Sequence, residues 1–314
     1  MHTPPSKGTD RQSLGRAFRH RFEGPFWRRM FLAGVRGLSP AMQRATMPMW
    51  AGIFYLLVPR ARRIVERNLA QVCGPLPPAQ TKARSFRLFV NYAQSITNMY
   101  AAHLGQPLPR AEFLGHEYLR PLVAARQGAI MLTGHMGYWQ IAHFLLAGRN
   151  WLPPITMAMA EEPNRALAEF EEQFRAKLRI VYTTSSPFAS IELAGILRRG
   201  EFVGMQLDRY LGGAHARLPF CGRPAPFPLG PATLARATGC PLVPVFVVSG
   251  PDRASCKVIV EPPIEVARTR DREADAREAM ERVVEVYQSF VRRYPEQWFN
   301  FYDFWSDGAA APRV

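Results

Sequence analysis

The stretch of the chain richest in possible chemistry is Ala129-Ile130-Met131-Leu132-Thr133-Gly134-His135-Met136-Gly137-Tyr138-Trp139-Gln140. It opens as a short apolar run, long enough for one buried strand and too short for an ordinary helix. The run ends at Gly134, and His135 follows where a βα turn would open. Gly137 permits a tight turn or the close approach of a substrate. From Trp139 onward, the residues Ile141, Ala142, Phe144, Leu145 and Leu146 are spaced for a helix packed on a sheet. A titratable side chain is thereby presented at the carboxyl end of a strand, where open α/β sheets place their ligands. Histidine is also the side chain whose unperturbed pKa best suits base catalysis near neutrality. The plainer alternative is a partly buried histidine satisfied by a backbone group.

Other chemistry-bearing elements lie further on. Gly200-Glu201-Phe202-Val203-Gly204-Met205-Gln206-Leu207-Asp208-Arg209 reads as a strand ending in a charged pair. Leu218-Pro219-Phe220-Cys221-Gly222-Arg223-Pro224-Ala225 reads as a Pro- and Gly-rich loop, running into a helical Gly230–Gly239. A strand Pro241–Phe246 follows, and Tyr294-Pro295-Glu296-Gln297-Trp298-Phe299 closes the set. Cys221 is a conceivable nucleophile, but spacing gives it no activating partner. Cys73, Cys221, Cys240 and Cys256 show neither a disulfide framework nor metal-ligand spacing, which fits a reducing compartment. The sequence contains neither a phosphate-loop pattern nor a Gly-x-Gly-x-x-Gly after a strand, so nucleotide binding has no support. A Gly-x-Ser-x-Gly elbow is absent as well.

These residues need a scaffold, and the chain of 314 residues supplies one. Up to residue 24 it is polar and basic, a mobile tail. Residues 25–104 read as helical, with two helices between Arg60 and Tyr100 broken at Gly74-Pro75-Leu76-Pro77-Pro78. After Pro107-Leu108-Pro109 the pattern becomes alternating, and 105–305 reads as one α/β core before a tail at 306–314. Apolar runs near 129–134, 155–160, 179–183, 202–207, 241–248 and 256–260 predict strands. Helical spacing near 139–148, 162–178, 187–199, 229–238 and 271–293 separates most of them. Strands alternating with helices imply a largely parallel central sheet flanked by helices.

The formal net charge is +15, and lysine occurs only at Lys7, Lys82, Lys177 and Lys257, so arginine carries it. An excess of that size fits an anionic partner. Because the basic residues are scattered among apolar ones and no recognition module is legible, nucleic acid is not that partner. The stretch Pro25–Arg36 mixes Phe26, Trp27, Met30, Phe31 and Leu32 with Arg28, Arg29 and Arg36, a basic amphipathic surface suited to an anionic membrane interface. The most hydrophobic stretch, Met47–Pro59, is short for a span and fits an element dipping into one leaflet. The first 30 residues lack the apolar region of a cleavable signal. An N-terminal membrane-associating region, monotopic or a single anchor, is therefore expected.

Taken in order, the quoted elements resemble the bacterial lipid A biosynthesis (late, or secondary) acyltransferases, within the glycerolipid and lysophospholipid acyltransferase superfamily. That family carries a Gly-His-x-Gly-x-Trp-Glu-like element and a strand ending in Asp-Gln. It also has a Pro-Phe-x-Gly-x-Pro-Ala loop leading to Leu-Ala-x-x-Thr-Gly, and a late Pro-Glu-Gln. The resemblance covers roughly residues 50 to 303. It implies acyl transfer from an acyl thioester, on acyl carrier protein or coenzyme A, to a hydroxyl of a membrane glycolipid or related lipid. That reaction needs no cofactor beyond the thioester, no metal and no covalent acyl-enzyme. The site would lie at the cytoplasmic face of the bacterial inner membrane.

The resemblance further implies His135 as general base, Gln140 at the position of the acidic residue of His-x4-Glu, and Asp208 as the Asp of Asp-Gln. It places Arg175 and Arg209 among substrate-binding residues, with Phe220, Gly222 and Pro224 shaping the loop. An arginine suits a phosphate or a developing oxyanion. Asp208 would order the site or pair with Arg175 or Arg209. Two positions depart from the family, Gln140 for the acid and Arg209 for the Gln. Either the Gln140 carbonyl orients His135 or another carboxylate does so, Asp208 being the nearest in motif logic. The alternative to an enzyme is a catalytically impaired member that binds lipid or acyl carrier.

Overall fold

Among the described residues, proline opens each of the first four helices: α1 (Pro25–Gly37), α2 (Pro40–Leu57), α3 (Pro59–Cys73) and α4 (Pro78–His103). Its missing N–H is one the first helical turn cannot use, and its fixed φ already suits the helix. These coordinates come from a computed structural model that describes residues 25–147, 149–161, 179–184, 186–209 and 213–305. The expected tails 1–24 and 306–314 and the expected helix 162–178 lie outside the described residues. By contacts the chain divides into Met1–Ala45 and Thr46–Val314. Within the first unit, the Gln43 amide donates to the Val35 and Leu38 carbonyls, both at 2.9 Å, and closes the turn after α1.

The second unit carries the sheet. Its elements are β1 (Arg110–Leu114), α5 (Leu119–Ala124), β2 (Ala129–Thr133), α6 (Ala142–Ala147), β3 (Ile155–Met159) and β4 (Arg179–Tyr182). Then come α7 (Ala189–Arg198), β5 (Phe202–Gln206), β6 (His215–Phe220), β7 (Arg223–Pro228), α8 (Gly230–Thr238), β8 (Leu242–Ser249), β9 (Ser255–Val260) and α9 (Arg272–Arg293). Among the described residues the main sheet runs β1-β9-β8-β2-β5-β3-β4. Every pairing is parallel except β8 with β9. The expected fold class thus holds: a mostly parallel sheet with helices packed on it.

Alternation along the central strands covers both faces of the sheet. Ile130 and Leu132 of β2 pack with Leu193, Leu234, Met280 and Val283, from α7, α8 and α9. Ala129 and Met131 point the other way, into a cluster with Leu122 of α5 and Leu145 of α6. A sheet buried on both sides explains why these strands read as continuous apolar runs.

Three local expectations are corrected. First, the helix expected at 139–148 is a 3-10 turn at Trp139–Ile141 followed by the short α6. Gly137 enters this turn at φ 56°, and the Tyr138 N–H donates to Val247 O at 2.7 Å, so the chain stays on the sheet before it coils. Second, the loop expected at 218–225 is the paired end of an antiparallel hairpin, β6 with β7, in a ribbon of its own. Its four prolines argue against a central strand, but a two-stranded ribbon leaves outward N–H positions that proline can occupy. Cys221 and Gly222 form the two-residue turn with φ of 50° and 83°, the paired positive values of a primed hairpin turn. Third, β1 was not anticipated; its Arg-Ala-Glu-Phe-Leu sequence has no apolar face strong enough to declare an edge strand.

Candidate active site

Register brings the first two candidate residues together. β2 and β5 are adjacent and parallel, with Thr133 opposite Gln206. His135 and Asp208 each lie two residues beyond that pair, on strands about 4.8 Å apart. The imidazole Nδ1 is 2.7 Å from Asp208 Oδ1, and the His135 backbone N–H donates to Oδ2 at 2.8 Å. With Asp208 ionised, Nδ1 carries the proton and Nε2 is left as the basic nitrogen.

The electrostatics are consistent with that assignment. Burial alone would push the Asp208 carboxyl up, but the His135 charge and the hydrogen bonds from His135 and Tyr287 hold it down to about 2. Asp208 is therefore an anion at any ordinary pH. His135 is pushed below the usual histidine value, first by burial and then by the Arg209 guanidinium, against the pull of Asp208. A base lowered in this way stays neutral, hence able to accept a proton, at neutral pH.

The turn holding His135 is clamped by the C-terminal segment. Phe299 N–H donates to His135 O at 2.8 Å, Gly137 N–H to Gln297 O at 2.8 Å, and Met136 bridges Trp298. Gln297 also grips the end of β8, accepting from Ser249 N–H at 2.8 Å and donating to Ser249 O at 3.0 Å. Glu296 beside it ties to Arg84 and Arg87 of α4 at 3.2 and 3.1 Å. The late Pro-Glu-Gln therefore braces the turn that carries His135 and does not reach into it. A Cβ on Gly137 would stand 1.9 Å from Val247 O, so this glycine is a requirement of close approach. Trp139 lies over the imidazole, with ring centroids 5.4 Å apart, and forms a half-buried wall.

The other candidates fall elsewhere. The Gln140 side chain does not meet His135 Nδ1; its Oε1 lies 3.4 Å from the Ser95 hydroxyl of α4, whose proton goes to Gly137 O at 2.8 Å. Arg209 follows Asp208 and is close enough to act on both His135 and Tyr302. Arg175 lies outside the described residues. Phe220 is fully buried, stacked on Tyr287 and packed against Trp298, Phe304 and Trp305, so its ring orders the hairpin from the core. Gly222 and Pro224 are exposed in the hairpin. Cys221 is buried, its thiol pushed up by that burial, and its backbone is held by Gln288 and by Gln71. A raised thiol pKa is the opposite of what a nucleophilic cysteine needs.

Sequence reasoning passed over two groups. Tyr287 was visible only as one residue of the apolar stripe of α9, yet its hydroxyl donates to Asp208 Oδ2 at 2.6 Å. The Tyr302 hydroxyl donates to the Asp208 backbone oxygen at 2.8 Å. The available signal was the residue type itself, since a tyrosine buried on an apolar face needs a partner for its hydroxyl.

A buried His–Asp pair thus stands at the carboxyl ends of two neighbouring parallel strands, an arrangement chemically able to accept a proton. The chain matches the bacterial lipid A biosynthesis acyltransferases over residues 17–306 and belongs to that family; it is an acyltransferase. It is 26% identical over 217 residues to a phosphatidylinositol mannoside acyltransferase of Mycolicibacterium smegmatis, covering 67% of this chain and 70% of that protein. The corresponding protein of Mycobacterium tuberculosis (strain CDC 1551 / Oshkosh) is 27% identical over 198 residues, which is 57% of this chain and 59% of that one. The crystal structure of the 1-acyl-sn-glycerophosphate acyltransferase PlsC from Thermotoga maritima covers 83% of this chain and 99% of that one at 13% identity, with a TM-score of 0.37.

Proposed function

We propose that the protein transfers a fatty acyl chain from an acyl thioester, on acyl carrier protein or coenzyme A, to a hydroxyl of a membrane glycolipid. The observation that carries this reading is the His135–Asp208 pair, 2.7 Å apart at adjacent strand ends. His135 Nε2 takes the acceptor hydroxyl's proton while that oxygen attacks the thioester carbonyl carbon. The tetrahedral adduct then collapses, the carbon–sulfur bond breaks, and the leaving thiolate takes the proton back from the imidazolium. Arg209 is near enough to act electrostatically on His135, and an arginine there suits either the developing oxyanion or a phosphate on the acceptor. Asp208 supplies the carboxylate that Gln140 lacks, so the substitution at 140 gives no support to a catalytically impaired member.

The acceptor class is supported by the names of the mycobacterial relatives, whose substrate is a mannosylated phosphatidylinositol; lipid A is the alternative acceptor within the family. Mass spectrometry of total lipids from cells with and without the protein tests the function. A glycolipid lighter by one acyl group in its absence is expected and would identify acceptor and chain. An unchanged lipid profile would contradict the reading.

The site serves a membrane-embedded acceptor, and helix α2 offers the contact. Met49, Trp50, Ile53, Leu56 and Leu57 are exposed and fall on one helical face, followed by exposed Arg60 and Arg63. No helix among the described residues is long and apolar enough to cross a membrane. This face would instead lie in the headgroup region of an anionic surface, the cytoplasmic face of a bacterial inner membrane in this reading. Each such side chain contributes about 1 kcal/mol or more when it leaves water. The double variant Trp50→Ser, Leu57→Ser should bind phosphatidylglycerol-containing vesicles at least about tenfold more weakly in sedimentation. Binding equal to wild type would place the membrane contact elsewhere.

A further inference from the structure

The carboxylate of Asp208 is held by more than the histidine it faces. Oδ2 accepts from the His135 backbone N–H at 2.8 Å and from the Tyr287 hydroxyl at 2.6 Å, while Oδ1 faces Nδ1. With both donors gathered on one oxygen, the carboxylate cannot rotate without losing them. Tyr287 itself has no freedom: it is fully buried and stacked on Phe220 and Phe246, with centroids 5.6 and 5.9 Å away and planes within 16°.

A second observation comes from the opposite side of the contact. A Cβ on Gly134 would stand 2.4 Å from both the Tyr287 ring and its hydroxyl. The residue before the base is thus a glycine whose missing side chain is the space the phenol occupies. Gly134 does not adopt a left-handed conformation, so close approach, and not backbone geometry, is what requires glycine here. Satisfying a buried hydroxyl would account for the hydrogen bond alone. It does not account for a phenol brought over the backbone next to the histidine.

We propose that Tyr287 is a positioning residue of the acyl-transfer reaction, its hydroxyl aiming the Asp208 carboxylate at His135 and drawing off part of that carboxylate's charge. The inference rests on His135 being the base. The charged or titratable groups facing the pair among the described residues are Arg209 beside Asp208, Tyr287 from α9 and Tyr302 from the C-terminal segment. Burial and the Asp208 charge push the Tyr287 phenol well above its ordinary value, so it remains a neutral donor throughout the working range.

The sign of the effect follows. A donor to a carboxylate stabilises its charged form and weakens its pull on a neighbouring cation. Without the donor, Asp208 holds the imidazolium more strongly, so the His135 pKa rises. Tyr287→Phe keeps the stacked ring and removes only the hydroxyl. Its kcat should fall about tenfold, the range expected for one hydrogen bond to a charged group, and the acidic limb of its pH–rate profile should move to higher pH. The acceptor KM should stay within about twofold of wild type, since Tyr287 is out of reach of substrate. Gly134→Ala displaces the same hydroxyl from the other side and should shift the limb in the same direction. Tyr302→Phe loses a bond to the Asp208 backbone and not to its carboxylate, so its limb should stay in place. An acidic limb unmoved in both Tyr287→Phe and Gly134→Ala overturns the proposal, as does an equal shift in Tyr302→Phe. His135→Ala, assayed alongside, isolates the premise: if it remains active, the base assignment fails whatever Tyr287 does.

Discussion

Acyl transfer by His135→Ala is expected to fall by about 10²–10⁴-fold, the contribution of a well-placed general base. The imidazole is the only basic side chain aligned with an ionised carboxylate at these strand ends among the described residues, and removing it takes away the group proposed to accept the acceptor's proton. The fold should tolerate the change in part, because the turn is held through backbone bonds: His135 O to Phe299, and Gly137 to Gln297. The Asp208 carboxylate would keep the His135 N–H and the Tyr287 hydroxyl, so the buried anion is not left bare. Initial rates of labelled acyl transfer, with a thermal melt to confirm folding, measure this. Activity within tenfold of wild type would move the chemistry away from His135.

Asp208→Asn should cost nearly as much, about 10³–10⁴-fold, and Gln140→Glu should cost little. The asymmetry follows from geometry. An asparagine at 208 can still accept from the His135 N–H and from Tyr287 through its carbonyl oxygen. Its amide nitrogen then faces Nδ1 and donates to it, which moves the imidazole proton to Nε2, the atom that must accept. The same tautomer error in a serine protease, a system whose magnitude is known, costs about 10⁴ in rate. Loss of the negative charge also lowers the His135 pKa further. The acidic limb, already below the ordinary histidine value in the wild type, should therefore move down in Asp208→Asn. Gln140 Oε1 meets Ser95 and not the imidazole, so a carboxylate there gains no hydrogen bond to Nδ1. Its rate should stay within about threefold and its profile should be nearly unchanged. A marked rise in rate for Gln140→Glu together with a mild Asp208→Asn would reverse the assignment.

The class of fold was legible because its cause is local. Apolar runs of strand length, such as Phe202–Gln206 and Leu242–Ser249, alternate with helical spacing, such as the stripe of Met280, Val283, Tyr287 and Phe290. Spatial order was not legible. Nothing in β2 or β5 declares that they are neighbours, yet that adjacency is what sets Asp208 against His135. Family spacing instead directed attention to Gln140, five residues along the same turn. Edge strand β1 and the β6–β7 ribbon were missed for opposite reasons, the first too polar to show a face and the second too rich in proline to look like a strand. Tyr287 was hidden by its own ring, which packs as an apolar residue while its hydroxyl serves the carboxylate. The proposed membrane contact rests on composition in the sequence, and in the structure on the exposed face of Trp50, Ile53, Leu56 and Leu57.

The central claim is direct transfer of an acyl group to a lipid hydroxyl, with His135 as base and no acyl-enzyme. The measurement closest to it follows a radiolabelled acyl thioester mixed with purified protein and a membrane lipid extract, quenched in acid at short times. Label is then read separately in lipid and in denatured protein. The account predicts label passing into a glycolipid with stoichiometric release of free thiol, none retained on protein at any time, and almost no transfer by His135→Ala. Label retained on the wild-type protein and chased into lipid would contradict it, as would undiminished lipid labelling by His135→Ala.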